Sequence, residues 1–374
     1  MHVVVILPRW VGDAVMCTPM LRSLRRWIGP TGRLTGLMPP AFEGLFADTP
    51  WLDDHIPYER RSSNPELGVL PVARRLKLMR PDVAVIVPNS LSSAALAWLS
   101  GAPRRVGWSR NLRGWLLTDR LRPRWDGWRV EATSTTELAM ALALKLGAQA
   151  DSLRLELGTS TADEVEADRL LQELFPGLSG PLVILNDNSA NGVARAWGAD
   201  RFSELAGWLS KRLPEARLLV HCGPSDRGEA ARAVQMAGLA AVRGMHEHPS
   251  LPFGLSKALI RRAGLMITSD SGPRHIAAAF AVPTVVLLGP TDPRLGRSMH
   301  ENLREVRLDL PCSPCDRTAC PLRHNDCMRL LRVEMVGQAC LELLSGVVPS
   351  QPRATFGDIQ SSPRAPHVEE HRRA

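Results

Sequence analysis

The stretch Leu265 to Ala279, LMITSDSGPRHIAAA, constrains this chain more than any other. An apolar run, Leu265 to Ile267, stops at the polar cluster Thr268, Ser269, Asp270, Ser271 and Gly272, and an Ala-rich helical pattern takes over after Pro273. That is a strand, a tight loop and a helix start. Ser271 and Gly272 stand where a helix N-cap belongs, and Pro273 suits the first helical position. Free backbone N–H groups and the positive end of the helix dipole therefore point into the loop. Such a loop suits an anion, and a diphosphate is the usual one. A dinucleotide dehydrogenase carries its phosphate loop at the start of the chain. Here the loop lies well past the middle of 374 residues, so the nucleotide is expected on the second half.

Strands and helices alternate on both sides of the middle, the pattern of parallel sheets covered by helices. In the first half the pattern predicts a strand at Val3 to Leu7, a helix from Asp13 to Trp27, a helix at Pro71 to Met79, a strand at Val83 to Pro88 and a helix at Ser92 to Leu99. The second half repeats the design with strands at Leu182 to Asn186, Arg217 to His221, Leu265 to Ile267 and Thr284 to Leu288. Helices fall between them at Asp200 to Arg212, Arg227 to Ala237 and Pro273 to Phe280. The fold class is α/β, with two Rossmann-like doubly wound sheets. The division expected is 1–170, 171–345 and a Pro- and Ser-rich disordered tail at 346–374. A helix at Thr161 to Leu174 is followed by the breakers Pro176, Gly177, Ser179, Gly180 and Pro181, read as the interdomain hinge.

No apolar run reaches the ~18 residues of a membrane span. The opening MHVVVILPRWVGDAV lacks a basic n-region and a cleavage pattern, so it reads as a buried strand of a cytoplasmic protein. The formal charge of +8, carried mostly by Arg, suits a large acidic partner. Zinc-finger and RNA-recognition patterns are missing and Tyr and Phe are sparse, which favours an anionic membrane surface over nucleic acid. Each basic stretch has a plain alternative as a solvated face. Seven cysteines argue against a disulfide framework. Cys312, Cys315, Cys320 and Cys327, with His324 among them, have the ligand count of a zinc or iron–sulfur site, or form a reduced cluster that packs a loop.

In the first half, PRWVGDAVMCTPML places Gly12 and Asp13 just beyond the first strand, at the edge where parallel sheets present ligand groups. Asp13 is either a helix N-cap or a general base facing a cleft between the domains, with Gly12 allowing close approach of an acceptor. No GxGxxG follows that strand, and Walker-A, GxSxG and HExxH patterns are missing from the whole chain.

Two sheet domains, a candidate base in the first and a diphosphate loop in the second are what a GT-B glycosyltransferase needs. The segments PRWVGDAVMCTPMLRSLR, VPNSLSSAALAWLSGAPRRVGW, SDSGPRHIAAAFAVPTVVLLGPTDP and CSPCDRTACPLRHNDCMR resemble the ADP-heptose:lipopolysaccharide heptosyltransferases, and the last resembles the second enzyme of that family more than the first. The resemblance runs from residue 6 to about residue 330. It implies inverting transfer of heptose from ADP-L-glycero-D-manno-heptose to the lipid A/Kdo inner core of lipopolysaccharide, at the cytoplasmic face of the inner membrane, with no required metal or cofactor. Asp13 matches the family's base. Asp270, Ser271, Gly272 and His275 match its donor site. A Lys that neutralises the departing diphosphate usually stands near Arg195, which supplies the same charge with a bidentate grip. The turn HCGPSDRGE matches the nucleoside contact, with Ser225 and Asp226 as ribose candidates against a plain turn-forming role. The alternatives are a GT-B-fold nucleotide-sugar-binding protein, a transferase using another donor sugar, and an epimerase that turns over without acceptor.

Overall fold

The computed structural model describes residues 1–127, 129–187 and 192–346. The tail beyond Gly346 and residues 188–191 of the first loop in the second half lie outside the described residues.

The first half builds β1 (His2–Ile6), α1 (Val11–Met16), α2 (Thr18–Ile28), β2 (Arg33–Met38), α3 (Glu43–Phe46), β3 (Asp54–Pro57), α4 (Val69–Met79), β4 (Val83–Ile86), α5 (Leu91–Leu99), β5 (Arg104–Trp108) and β6 (Asp119–Leu121). A short antiparallel pair, β7 (Trp125–Asp126) and β8 (Arg129–Val130), precedes α6 (Thr135–Leu146) and α7 (Thr161–Leu174). The second half runs β9 (Leu182–Asn186), α8 (Ala199–Ser210), β10 (Arg217–Val220), α9 (Arg227–Ala237), β11 (Val242–Gly244), α10 (Phe253–Arg261), β12 (Leu265–Ser269), α11 (Gly272–Ala279), β13 (Thr284–Leu288), β14 (Leu303–Arg307), α12 (Asp326–Arg329) and α13 (Val333–Leu344).

Each half forms a six-stranded parallel sheet, with order β3-β2-β1-β4-β5-β6 and β11-β10-β9-β12-β13-β14. The two doubly wound sheets are those that the alternation of strands and helices implied, and they make up the GT-B fold that the resemblance implied. The central strands β1 and β9 read as continuous apolar runs because helices cover both of their faces. Both orders reverse direction beside the first strand, between β1 and β4 and between β9 and β12. Open α/β sheets bind ligands outside the carboxyl ends of the strands at such a point.

The helix expected from Asp13 to Trp27 is two helices. Pro19 has no N–H to give the Val15 carbonyl, and the Thr18 hydroxyl donates to that carbonyl instead, at 2.8 Å. The chain also passes between the domains before the segment expected to be the hinge. Helix α7 is bound to α10 of the second sheet through ion pairs of Glu164 with Arg261 and Arg262. Residues 151–156 still follow α2, where Arg22 meets Asp151 and the Glu156 N–H donates to Thr18 Oγ1 at 3.2 Å. The chain therefore changes domain near residues 157–160. The boundary at 170 and the breakers Gly177 to Pro181 both fall inside the second domain. There Gly177 adopts φ +79°, and Gly180 lies so close to the Glu215 carbonyl that no side chain fits. These breakers make a packed turn from α7 into β9.

Candidate active site

Asp13 occupies the third position of α1, behind an extended Trp10 at the N-cap, so its carboxylate is not a cap. It accepts a hydrogen bond from Thr135 Oγ1 at 2.9 Å. Thr135 is placed by a capping box at the start of α6, where the Ser134 side chain accepts from Glu137 N and the Glu137 carboxylate accepts from Ser134 N. Burial raises the Asp13 pKa above the ordinary carboxylate value. The Thr135 hydroxyl and the positive Arg195 pull it back, while Asp270 pushes it further up.

The second domain contributes the loop from β12 into α11. Ser271 is the N-cap in extended conformation, Gly272 is the first helical residue and Pro273 the second, one position later than expected. The Ser271 hydroxyl does not cap its helix. It instead accepts from Asn186 Nδ2 at 3.0 Å, and the same amide nitrogen donates to Thr268 Oγ1 at 2.9 Å. The Asn186 carbonyl oxygen can only accept, so His221 Nδ1, 2.9 Å away, carries the proton. His221 Nε2 then accepts from Ser256 Oγ at 2.7 Å. Burial pushes His221 down to about 4, which keeps the ring neutral. This buried chain anchors the start of α11 to β9 and leaves the helix end open to the cleft.

Asp270 is held by two guanidinium groups: Arg274 on the next turn, and Arg195 Nη1 at 3.3 Å. Burial works to raise its pKa, but Arg274 and then Arg195 hold it below the usual value. Its carboxylate is therefore ionised and committed to arginine. Arg195, on a short turn at Val193–Arg195, also has a buried Nε with no hydrogen-bond partner among the described residues. His275 is buried and neutral, pushed down to about 3 by burial and by Arg274. It lies against Gly12, where an added Cβ would stand 2.7 Å from His275 Cδ2 and 3.4 Å from Gly272 Cα. The two glycines let the starts of α1 and α11 meet. Gly12 thus serves contact between the domains, and it also borders the cavity that lies between them.

Between the domains lies a cavity of about 1160 Å³, bordered by Gly12, Asp13, Arg195, Asp270, Ser271, Gly272, His275 and Ser225. Asp226 does not line it, although the turn Pro224–Asp226 brings Ser225 to its edge. A second cavity of about 500 Å³ opens in the first domain, bordered by Arg9, Tyr58, Arg60, Arg61 and Trp108. Asp13 and Thr135 border both cavities.

Thr135, Asn186, His221 and Arg274 escaped the sequence reading. The Ser134-Thr-Thr-Glu137 box and the Asp270, Arg274 spacing of four were visible signals, but the partners of Asn186 and Thr135 are brought in by other strands and helices. Cys312, Cys315, Cys320 and Cys327 gather with His324 around a cavity of about 20 Å³. Among the described residues, no three His, Cys, Asp or Glu are arranged to hold a metal ion. The loop that carries these cysteines presses on the Arg195 turn, where Ala194 N donates to the Thr318 carbonyl at 3.2 Å.

Similar proteins share this fold. Residues 69–325 match the family model of glycosyltransferase family 9 (heptosyltransferase). Lipopolysaccharide heptosyltransferase 2 of Salmonella typhimurium is 26% identical over 311 residues, covering 82% of this chain and 88% of that protein. The solved structure of E. coli ADP-heptose lps heptosyltransferase II has a TM-score of 0.74 at 22% identity and covers 92% of this chain and 99% of its own. A glycosyl transferase family 9 structure from Veillonella parvula has a TM-score of 0.76 at 21% identity, covering 92% and 97%. With more than half its length matched by the family model, and with the fold to go with it, this chain belongs to glycosyltransferase family 9, the heptosyltransferases.

Proposed function

We propose that the protein transfers heptose from ADP-heptose to the inner core of lipopolysaccharide, working at an anionic membrane surface. The observation that carries this reading is the position of Asp13, among the described residues the one ionisable side chain that borders both the interdomain cavity and the cavity of the first domain. The donor occupies the larger cavity, with its diphosphate at the open start of α11 and against Arg195. The acceptor sugar enters the smaller one, where Arg9, Arg60 and Arg61 suit its acidic groups. The names of the relatives, among them an ADP-heptose lps heptosyltransferase II, support the choice of donor and acceptor.

In the reaction, Asp13 takes the proton of an acceptor hydroxyl through the carboxylate oxygen that Thr135 leaves free. The hydroxyl oxygen bonds to the anomeric carbon as the bond from that carbon to the diphosphate breaks, which inverts the centre. The charge on departing ADP is met by Arg195 and by the backbone N–H groups of α11. Asp270 stays paired with its arginines and orients them. This reading assigns no further cofactor.

The test is ADP release from ADP-heptose in the presence of heptose-deficient lipopolysaccharide. Wild type releases ADP only with acceptor present. Asp13→Asn keeps ADP binding and loses transfer by about 10²- to 10⁴-fold. Turnover without acceptor, or near wild-type transfer by the variant, overturns the reading.

A further inference from the structure

The outer side of the first domain carries an unusual surface. Between residues 67 and 118 the chain has one acid, Asp82, against eight Arg or Lys, and Asp82 is occupied by the backbone N–H of His2 at 2.7 Å. Helices α4 and α5 pack side by side on this face of the sheet, burying Val72, Ala73 and Leu76 from one and Ala94, Leu96 and Ala97 from the other. Their other sides point outward. On α4 the outward stripe is Leu70, Arg74 and Leu78, at intervals of four, flanked by exposed Arg75, Lys77 and Arg80. Among the described residues none of these four flanking and striped cations, Arg74, Arg75, Lys77 or Arg80, makes an ion pair. On α5 the stripe is Leu91, Ala95 and Trp98.

Beside them, the segment 109–116 lifts Leu112 and Trp115 clear of the surface, 93% and 69% exposed. This segment is not loosely held. Asn111 Nδ2 donates to the Asn89 carbonyl at 2.8 Å, and fully buried Arg113 donates to the Trp108 carbonyl at 3.0 Å and to Asn89 Oδ1 at 3.0 Å. A built anchor therefore holds two large apolar side chains in water. The same Asn89, and Ser90 whose carbonyl also accepts from Arg113 at 3.3 Å, border the cavity of the first domain, so the surface ends at the mouth of the acceptor site.

We infer that the outer face formed by α4, α5 and residues 109–116 is a docking surface for an anionic lipid bilayer, with Leu112 and Trp115 entering the headgroup region and the α4 cations facing the lipid charge. It rests on the proposed function insofar as it names how a lipid-anchored acceptor reaches its cavity. Interleaved cations and bulky apolar side chains with almost no acid match such a surface in both charge and hydrophobicity. The rigid anchor presents the apolar pair already ordered, which keeps the entropy cost of insertion low. A lipid whose sugars project from the bilayer would then meet the smaller cavity without leaving the membrane.

The experiment is cosedimentation of the full chain with vesicles of phosphatidylcholine alone or mixed with phosphatidylglycerol. Three proteins are compared: wild type, Arg74→Ser/Arg75→Ser/Lys77→Ser, and Leu112→Ser/Trp115→Ser. Wild type binds the mixed vesicles and is released by salt. The triple variant binds on the order of a hundredfold more weakly, since each cation near an anionic surface contributes about a fivefold factor. The double variant also binds the mixed vesicles more weakly than wild type, and quenching of its remaining tryptophans, Trp98 among them, by brominated lipid falls. Both variants retain wild-type ADP release on a deacylated, water-soluble acceptor. Equal vesicle binding by all three proteins overturns the inference, as does failure of wild type to bind mixed vesicles while binding an oligonucleotide. Vesicle binding is read without turnover. Absence of ADP release from wild type on the soluble acceptor would therefore count against the proposed function and leave the docking surface standing.

Discussion

Gly12 and His275 touch across the domain interface: a Cβ at position 12 would stand 2.7 Å from the His275 ring, closer than real side-chain atoms approach. The relationship couples the two halves of the site, because Asp13 follows Gly12 while Asp270 and Ser271 lie just before His275 on the other side.

Gly12→Ala therefore separates the starts of α1 and α11. Overpacking of this kind costs about 1–3 kcal/mol, which here falls on closure of the domains rather than on either sheet. We expect kcat/KM for transfer to fall at least about tenfold, with ADP affinity nearly unchanged. Steady-state kinetics and calorimetric ADP titration check this outcome.

Thr135→Val removes the hydroxyl that stabilises ionised Asp13. That hydrogen bond lowers the Asp13 pKa, so its loss lets burial raise it further. A base must be deprotonated to act, so the acid limb of the kcat profile moves to higher pH. An acid limb that stays in place removes Asp13 from the role of base.

Arg195→Ala deletes one of the two guanidinium partners of Asp270 and, on the proposed mechanism, the charge that meets the departing diphosphate. Removal of one preorganised group of this kind lowers kcat by about 10²- to 10³-fold. Arg195→Lys restores part of the loss, since the charge returns without the paired donors. If the alanine variant turns over like wild type, Arg195 has no part in leaving-group stabilisation.

Lys257 is fully buried where the domains meet and donates from Nζ to the Leu45 carbonyl at 3.1 Å and the Ala47 carbonyl at 3.2 Å, at the end of α3. Burial pushes its pKa down from 10.5 to about 8, with Asp163 and Asp48 opposing. The folded state thus binds the proton less tightly than the unfolded chain. The resulting penalty is fully present below about pH 8 and is relieved as pH rises toward 10.5. Relative to Lys257→Met, wild type should gain roughly 2–3 kcal/mol of stability across that window. Denaturant melts of both proteins at several pH values measure the difference.

Much of the architecture was legible in residue order, because apolar runs four to five residues long and amphipathic helices have their own periods. The strand Leu182–Asn186 and the helices Thr161–Leu174 and Arg227–Ala237 lie where the pattern puts them. So does the turn from β12 into α11, since Ser, Gly and Pro act on the backbone next to them. The break at Cys17 was missed because it depends on one absent N–H, and the hinge because a Gly and Pro cluster looks alike in a flexible linker and in a packed turn.

The sequence by itself determined the two sheets, the helix start that suits a diphosphate and the presence of a carboxylate after the first strand, all of which are local consequences of residue type. Only the tertiary structure decided that Asp13 borders both cavities, that Asp270 is committed to Arg195 and Arg274, and that Gly12 answers to His275. Those relationships join residues separated by up to about two-thirds of the chain. They arise from how two independently wound sheets pack, and no local preference of the backbone encodes that distance.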